Sequence, residues 1–257
     1  MNDVAVKVYD LGHAYSPGQW VFRHYGMSVK CGSIFSILGP NGCGKTTLLK
    51  ILLGALEPTA GRIEVRGGTA FVPQLFQVTF DYSVLDMVLM GRAKHVRLFA
   101  QPSHQDEEAS LEALSRLGIA DLARRLFHQL SGGQRQLVIF ARALVSEADI
   151  LILDEPTSAL DLKNQDVILE WMRRLSGEEG LTVVFTTHHP HHAHAVADTT
   201  MLMLGEDRYL WGPTQEVMTE EYLRALYGID LRRLQFAHKG RYIETFVPVY
   251  GAQEREP

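Results

Sequence analysis

The chain is poor in cysteine, in positive charge and in long apolar stretches, and each shortage closes off a class of protein. Two cysteines, Cys31 and Cys43, cannot build a disulfide framework, so a reducing compartment is the natural setting. Lysine and arginine number 25 against 30 acidic side chains, a net charge of −5 at pH 7. Without a basic excess, no nucleic acid partner is expected. The longest uncharged apolar runs, such as residues 137–141, fall far short of the roughly 20 residues that a transmembrane helix needs. The opening MNDVAVKVYD has neither a basic start nor an apolar core and is not expected to direct export. Internal repeats and low-complexity tracts are also missing. What is there, 46% apolar and 21% charged residues over 257 positions, excludes a disordered or fibrous chain and suffices for one large unit or two modest ones.

Period-2 alternation of Val4, Val6 and Val8 with Ala5 and Lys7 predicts a strand, interrupted at Gly12 and at the Ser16-Pro17-Gly18 turn. Residues 33–38 read as an apolar strand running straight into a glycine-rich loop. Residues 46–53 then fit a helix stopped by Gly54, with Leu48, Leu49, Leu52 and Leu53 at helical spacing. Two short strands are expected at 62–66 and 69–72. From about 83 to 147 the period is helical throughout, which predicts a helical insertion. Alternation then resumes: strand 149–153, helix 162–175, strand 181–185, a short helix after Pro190 and a hairpin over 200–211. Strands alternating with helices predict an α/β fold with a mainly parallel sheet covered on both faces. Beyond Gly212 a helix is expected at 220–226, and the last thirty residues show no clear pattern.

Gly39-Pro40-Asn41-Gly42-Cys43-Gly44-Lys45-Thr46 satisfies the Walker A pattern between a buried strand and a helix. Successive backbone N–H groups at a helix start favour a phosphate anion, and glycines permit the close wrap. Lys45 would neutralise the β and γ phosphates and the Thr46 hydroxyl would ligate Mg²⁺. Four apolar residues, Ile150 to Leu153, end at Asp154-Glu155, where a buried strand would deliver two carboxylates to its C-terminal edge. Such a pair is costly without a cation or hydrogen bonds. Asp154 would hold Mg²⁺ through water, and Glu155 would orient and deprotonate an attacking water. Leu130-Ser131-Gly132-Gly133-Gln134 opens an apolar helix with Ser131 as a reasonable N-cap, a second anion-binding terminus.

That last string matches the signature of the ABC ATPases, and the chain resembles this family over nearly all of residues 1–215. Walker A, the glutamine of Val72-Pro73-Gln74, LSGGQ, Asp154-Glu155, Ser158-Ala159-Leu160-Asp161 and Thr186-Thr187-His188 follow the family's order and spacing. The resemblance implies a P-loop NTPase with a RecA-like core and an antiparallel β subdomain (1–82 and 148–215), an α-helical signature subdomain (83–147) and a tail (216–257). It implies a head-to-tail homodimer closing two ATPs. Each would lie between Gly39, Asn41, Gly42, Cys43, Gly44, Lys45, Thr46 and Thr47 of one chain and Ser131, Gly132, Gly133 and Gln134 of the other. Gln74 is similar to the Q-loop residue that reaches metal and attacking water, Asp161 to the residue at the dimer seam, and His188 to the switch histidine at the γ-phosphate. Tyr15 is the expected adenine-stacking aromatic, with Trp20 as its competitor and core packing as the plain alternative for both.

A single cassette without a fused membrane span resembles a separate subunit that drives a permease. Residues 81–92, the later Phe99 and Pro102, and Phe246-Val247-Pro248 are similar to type II metal-chelate importers, nearest the molybdate and tungstate branch. The resemblance implies a bacterial importer of such an oxyanion or of a ferric siderophore, haem or cobalamin. The ATPase would sit on the cytoplasmic face of the inner membrane under two polytopic permease subunits, with a periplasmic binding protein as an indirect partner. A groove near Gln74 and residues 84–92 would take a coupling helix. The alternative is a non-transport ABC ATPase remodelling a soluble partner.

Among the remaining features, His188, His189, His191, His192 and His194 invite a metal reading, against a solvated helix face. Asp106-Glu107-Glu108 reads as charge near a helix start. Cys43, beside a helix terminus and Lys45, is expected to label faster than Cys31 unless its sulfur packs inward.

Overall fold

Strand β1 (Val4–Ser16) buries Val6 and Val8, exposes Lys7, and pairs antiparallel with β2 (Gln19–Lys30) around the Pro17-Gly18 turn. This computed structural model describes residues 3–74, 76, 78, 80–96, 100–158 and 160–251, so Phe99 and Ala159 lie outside the described residues. Strand β3 (Ile34–Leu38) is buried at every position, as a strand covered on both faces must be, and leads to α1 (Lys45–Leu52). Strand β4 (Ala60–Val65) closes the small antiparallel sheet on the other side of β1. The chain divides into two compact units, Met1–Arg66 with Trp171–Pro257, and Gly67–Glu170.

In the second unit, β5 (Thr69–Val72) pairs in parallel with a later strand, and between them the described residues include the α-helices α2 (Val84–Leu89), α3 (His104–Arg116) and α4 (Gly132–Leu144). All three begin with a serine whose hydroxyl accepts from the backbone of the residue three ahead, while that residue's side chain accepts from the serine N–H. The pairs are Ser83 with Asp86, Ser103 with Asp106, and Ser131 with Gln134. Each capping box meets two orphan amides, and an N-cap is worth about 1 kcal/mol. Strand β6 (Ile150–Leu153) is the fully buried partner of β5, and α5 (Leu162–Glu179) carries the chain back to the first unit.

Asp106 is more than surface charge. Arg92, buried just after α2, donates from Nε to Asp106 Oδ1 at 2.9 Å and from Nη1 to the Val145 carbonyl at 3.1 Å, and pairs with Glu147. Hydrogen bonds from Ser103 and Arg92 hold the Asp106 carboxyl at about 2. Burial opposes the Arg92 charge, but Asp106 and Glu147 outweigh it and raise its pKa. A depressed carboxyl stabilises the fold above its ordinary pKa near about 4, and the contribution is lost as pH falls toward the folded value. Arg92→Ala leaves Asp106 buried without its cation and should lower Tm by roughly 5–10 °C in thermal unfolding followed by circular dichroism. An unchanged Tm would show that Ser103 alone satisfies the carboxylate.

Back in the first unit follow β7 (Thr182–Thr187), α6 (Pro190–Val196), β8 (Thr199–Met203) and β9 (Tyr209–Pro213). Strand β3 lies between β7 and β8, parallel to both, and β9 returns antiparallel on β8 as the expected hairpin. The buried polar groups here pair with one another: Ser36 Oγ lies 2.7 Å from Thr200 Oγ1, which lies 2.9 Å from Thr214 Oγ1. Thr214 opens the short α7 (Thr214–Val217), and α8 (Glu220–Tyr227) follows.

The unassigned tail folds as a hairpin, β10 (Leu231–His238) and β11 (Arg241–Pro248). Its Lys239-Gly240 turn has positive φ at both positions, 47° and 75°, the conformation that suits a two-residue hairpin. Phe246 is buried with the His194 ring edge-on at 5.3 Å, and His194 Nε2 meets Glu244 Oε1 at 2.9 Å. His194 is therefore turned onto the hairpin, whereas His191 is exposed, so only part of the cluster is a solvated face. His192 is buried too, and that burial, followed by the neighbouring His191, His189 and His188, pushes its pKa down to about 3. Acidification below about 6.5 therefore costs stability, because the unfolded chain takes up the proton and the folded one does not.

Candidate active site

The phosphate loop leaves the end of β3 and closes on α1. Gly44 caps α1 in the left-handed region at φ 104°, and a Cβ there would sit 2.6 Å from Val21 Cγ1, so conformation and space both demand glycine. Lys45 is only 6% exposed. Its ammonium donates to the Gly39 carbonyl at 2.8 Å and the Pro40 carbonyl at 3.1 Å, which folds the side chain back along the loop and holds the charge there. Asn41, Gly42 and Thr46 are exposed, and Thr47 is buried. Leu38 pairs with Thr187, so His188 emerges beside this loop at the C-terminal ends of two neighbouring parallel strands, where such folds collect ligand groups.

The two candidate aromatics part company. Tyr15 is 64% exposed, with its hydroxyl 3.0 Å from Thr47 Oγ1 in the first turn of α1. Trp20 lies against Gly12 of its own hairpin, where a Cβ would come within 2.9 Å of Cζ3. The expected cysteine order is also corrected. Cys31 is exposed, whereas Cys43 is half-buried and turns its sulfur to where a Cβ on Gly39 would collide with it. Inward packing of the Cys43 sulfur opposes the pull of the helix terminus, and exposure favours labelling of Cys31.

In the second unit, β6 delivers Asp154 and Glu155, 5% and 8% exposed. Glu155 stands at φ 45°, a left-handed conformation that costs a non-glycine residue about 1–3 kcal/mol and turns its side chain off the line of the strand. Gln74 Nε2 donates to Glu155 Oε2 at 3.1 Å and to Ser158 Oγ at 3.3 Å, and Ser158 Oγ donates to the Glu155 carbonyl at 3.1 Å. Ser158 was given no role of its own by the sequence, although a hydroxyl three residues after the strained carboxylate is a turn-forming signal. Asp161 Oδ1 accepts from the Asn164 amide at 2.8 Å and opens α5. Ser131 caps α4 as expected, with Gly132 and Gly133 in its first turn. Among the described residues, no three His, Cys, Asp or Glu side chains are arranged to hold a metal ion.

The model of the ABC transporter family matches residues 22–158, more than half of the chain. The chain belongs to the ABC transporter family. This ABC ATPase is 44% identical over 246 residues, 96% of its length and 97% of the relative's, to the molybdate import ATP-binding protein MolC of Haemophilus influenzae. It is 37% identical over 218 residues, 81% of its length and 86% of the relative's, to the manganese transport system ATP-binding protein MntB of Bacillus subtilis. A solved structure described as an inward-facing metal-chelate type ABC transporter superposes with a TM-score of 0.92 at 43% identity, covering 96% of this chain and 98% of that one. The fold is that of an ABC ATPase, a P-loop NTPase, and the chain hydrolyses ATP to drive transport. ABC ATPase domains act as dimers with membrane permeases, which sets the alternative of a remodelling ATPase aside. No helix among the described residues is long and apolar enough to cross a membrane. The chain's relatives are ATP-binding subunits of membrane transporters, which implies a peripheral membrane position.

Proposed function

We propose that this ABC ATPase powers a bacterial importer of an oxyanion such as molybdate or tungstate, or of a metal chelate such as a ferric siderophore, haem or cobalamin. The observation that carries the reading is the 44% identity, over 96% of the chain, to a molybdate import subunit. A metal-chelate type transporter as structural neighbour supports the same class. The chain acts as a homodimer under two polytopic permease subunits at the cytoplasmic face of the inner membrane. A periplasmic binding protein delivers cargo to the permease, and a groove by Gln74 and α2 receives the permease's coupling helix.

In this reading Tyr15 stacks on adenine. The amides of Gly39, Asn41, Gly42, Cys43 and Gly44, with Lys45, Thr46 and Thr47, grip the phosphates. The Thr46 hydroxyl and the Asp154 carboxylate are hard oxygen donors, and one or two of these suit Mg²⁺, which keeps waters and phosphate oxygens as its other ligands. When bound, Mg²⁺ neutralises charge on the phosphates. Glu155, buried and braced by Gln74, takes the proton of the attacking water. Gln74 positions that water, and His188 contacts the γ-phosphate. Ser131, Gly132, Gly133 and Gln134 bind the same phosphate from the partner chain, with Asp161 at the seam.

Affinity purification of the tagged chain from membranes should recover a polytopic permease. Proteoliposomes holding that complex should then take up labelled molybdate, cobalamin or a ferric siderophore only with ATP on the ATPase side. Recovery with soluble partners alone, or ATP-driven uptake that ignores all three cargo classes, would overturn the reading.

A further inference from the structure

Tyr15 is an exposed ring, yet it is not free. Its hydroxyl is tied to Thr47, and its ring meets His13 nearly at a right angle, 84°, with centroids 4.8 Å apart. The two residues lie two apart on β1, where the pairing with β2 is irregular, and the ring contact itself brings them together. His13 is 5% exposed, and neither ring nitrogen has a hydrogen-bond partner among the described residues. A buried imidazole in that condition is a poor choice for packing alone, since its N–H loses water and gains nothing in return. His13 also sits opposite Phe22 across the β1–β2 pair, and Phe22 borders the space over Gly44 in the phosphate loop. The imidazole thus belongs to the strand pair whose Phe22 borders that loop, and its ring meets the exposed tyrosine.

We propose that His13 is a positioning residue for nucleobase recognition: its perpendicular contact sets the plane of the Tyr15 ring, so that the ring face is ready for adenine before the nucleotide arrives. The proposal rests on the reading of Tyr15 as the adenine-stacking residue. A ring held by its hydroxyl alone could still swing about its long axis, and the perpendicular His13 contact removes that freedom. Ordering the ring in advance lowers the cost of binding, which favours affinity for a base and leaves affinity for a bare phosphate chain unchanged.

The test uses the full-length chain and compares ATP with inorganic tripolyphosphate, which carries phosphates without a base. His13→Leu keeps an apolar side chain but no planar ring, and His13→Phe keeps the ring. His13→Leu should raise KM for ATP about three- to tenfold, with kcat within about twofold and tripolyphosphate inhibition unchanged. His13→Phe should bring KM back to within about twofold of the native value. In a Tyr15→Ala background His13→Leu should add nothing, as expected of a residue acting only through Tyr15. If His13→Leu leaves KM for ATP unchanged while Tyr15→Ala raises it, the proposal fails and the reading of Tyr15 stands. If Tyr15→Ala itself leaves KM unchanged, that reading fails and the proposal with it. An effect that weakens tripolyphosphate equally, or that adds to Tyr15→Ala, marks a structural role and also overturns the proposal.

Discussion

Glu155→Gln should cut ATP turnover by about 10²–10⁴-fold while leaving ATP binding intact. The substitution keeps the side chain's length and its capacity to accept from Gln74 Nε2, now 3.1 Å from Glu155 Oε2, so the packing around residue 155 has no cause to change. Glutamine also meets the same backbone demand at φ 45°, and any strain there is common to both proteins. The only chemistry removed is the ability to accept a proton at neutral pH. Lys45, Thr46 and Asp154 are untouched, so ATP should still bind and the protein should accumulate as an ATP-loaded dimer. Size-exclusion chromatography with and without ATP, alongside a phosphate-release assay, reads both halves of the expectation. Near-native turnover would remove Glu155 from the role of base.

Lys45→Ala and Ser131→Arg should each abolish ATP occlusion alone and partly rescue each other when mixed. Loss of Lys45 leaves the Gly39 and Pro40 carbonyls without the ammonium that now joins them and leaves phosphate charge unneutralised. Arginine at 131 breaks the capping box with Gln134 and fills the N-terminus of α4 with a large cation. If the phosphate loop of one chain meets the signature of the other, a mixed dimer has one site with both defects and one with neither. Random pairing makes about half of the dimers mixed, so occluded ATP should return to about a quarter of all sites. Nucleotide trapped after rapid gel filtration measures this directly, and cooperativity between sites does not mask it. Trapping no higher than in the separate variants would count against composite sites.

Much of the site was legible because its chemistry is local. The phosphate loop, the apolar strand ending in Asp154-Glu155 and the Ser131 cap are each contiguous strings whose backbone geometry follows from neighbouring residues. The tail was harder to read. Strand β10 reads LRRLQFAH, with exposed apolar residues on its outer face, so no clean alternation marks it as a strand. Its turn is Lys239-Gly240 and lacks the asparagine or aspartate that usually announces such a hairpin. Asp106 misled for the opposite reason. It does stand at a helix start, as its surroundings suggest, but its second partner lies fourteen residues earlier.

By itself the sequence determined the period of most elements before the tail, the Ser131 cap and the motifs that place the chain among the ABC ATPases, because these depend on residues within a turn or a strand of one another. Tertiary structure alone decided which distant groups meet. Tyr15 reaches Thr47 across 32 residues, Gln74 reaches Glu155 across 81, and His194 finds Glu244 in a hairpin that the sequence did not announce. Such pairings depend on strand register and on how buried elements pack: a shift of one residue in β1 or β11 would send Tyr15 or Glu244 to the opposite face.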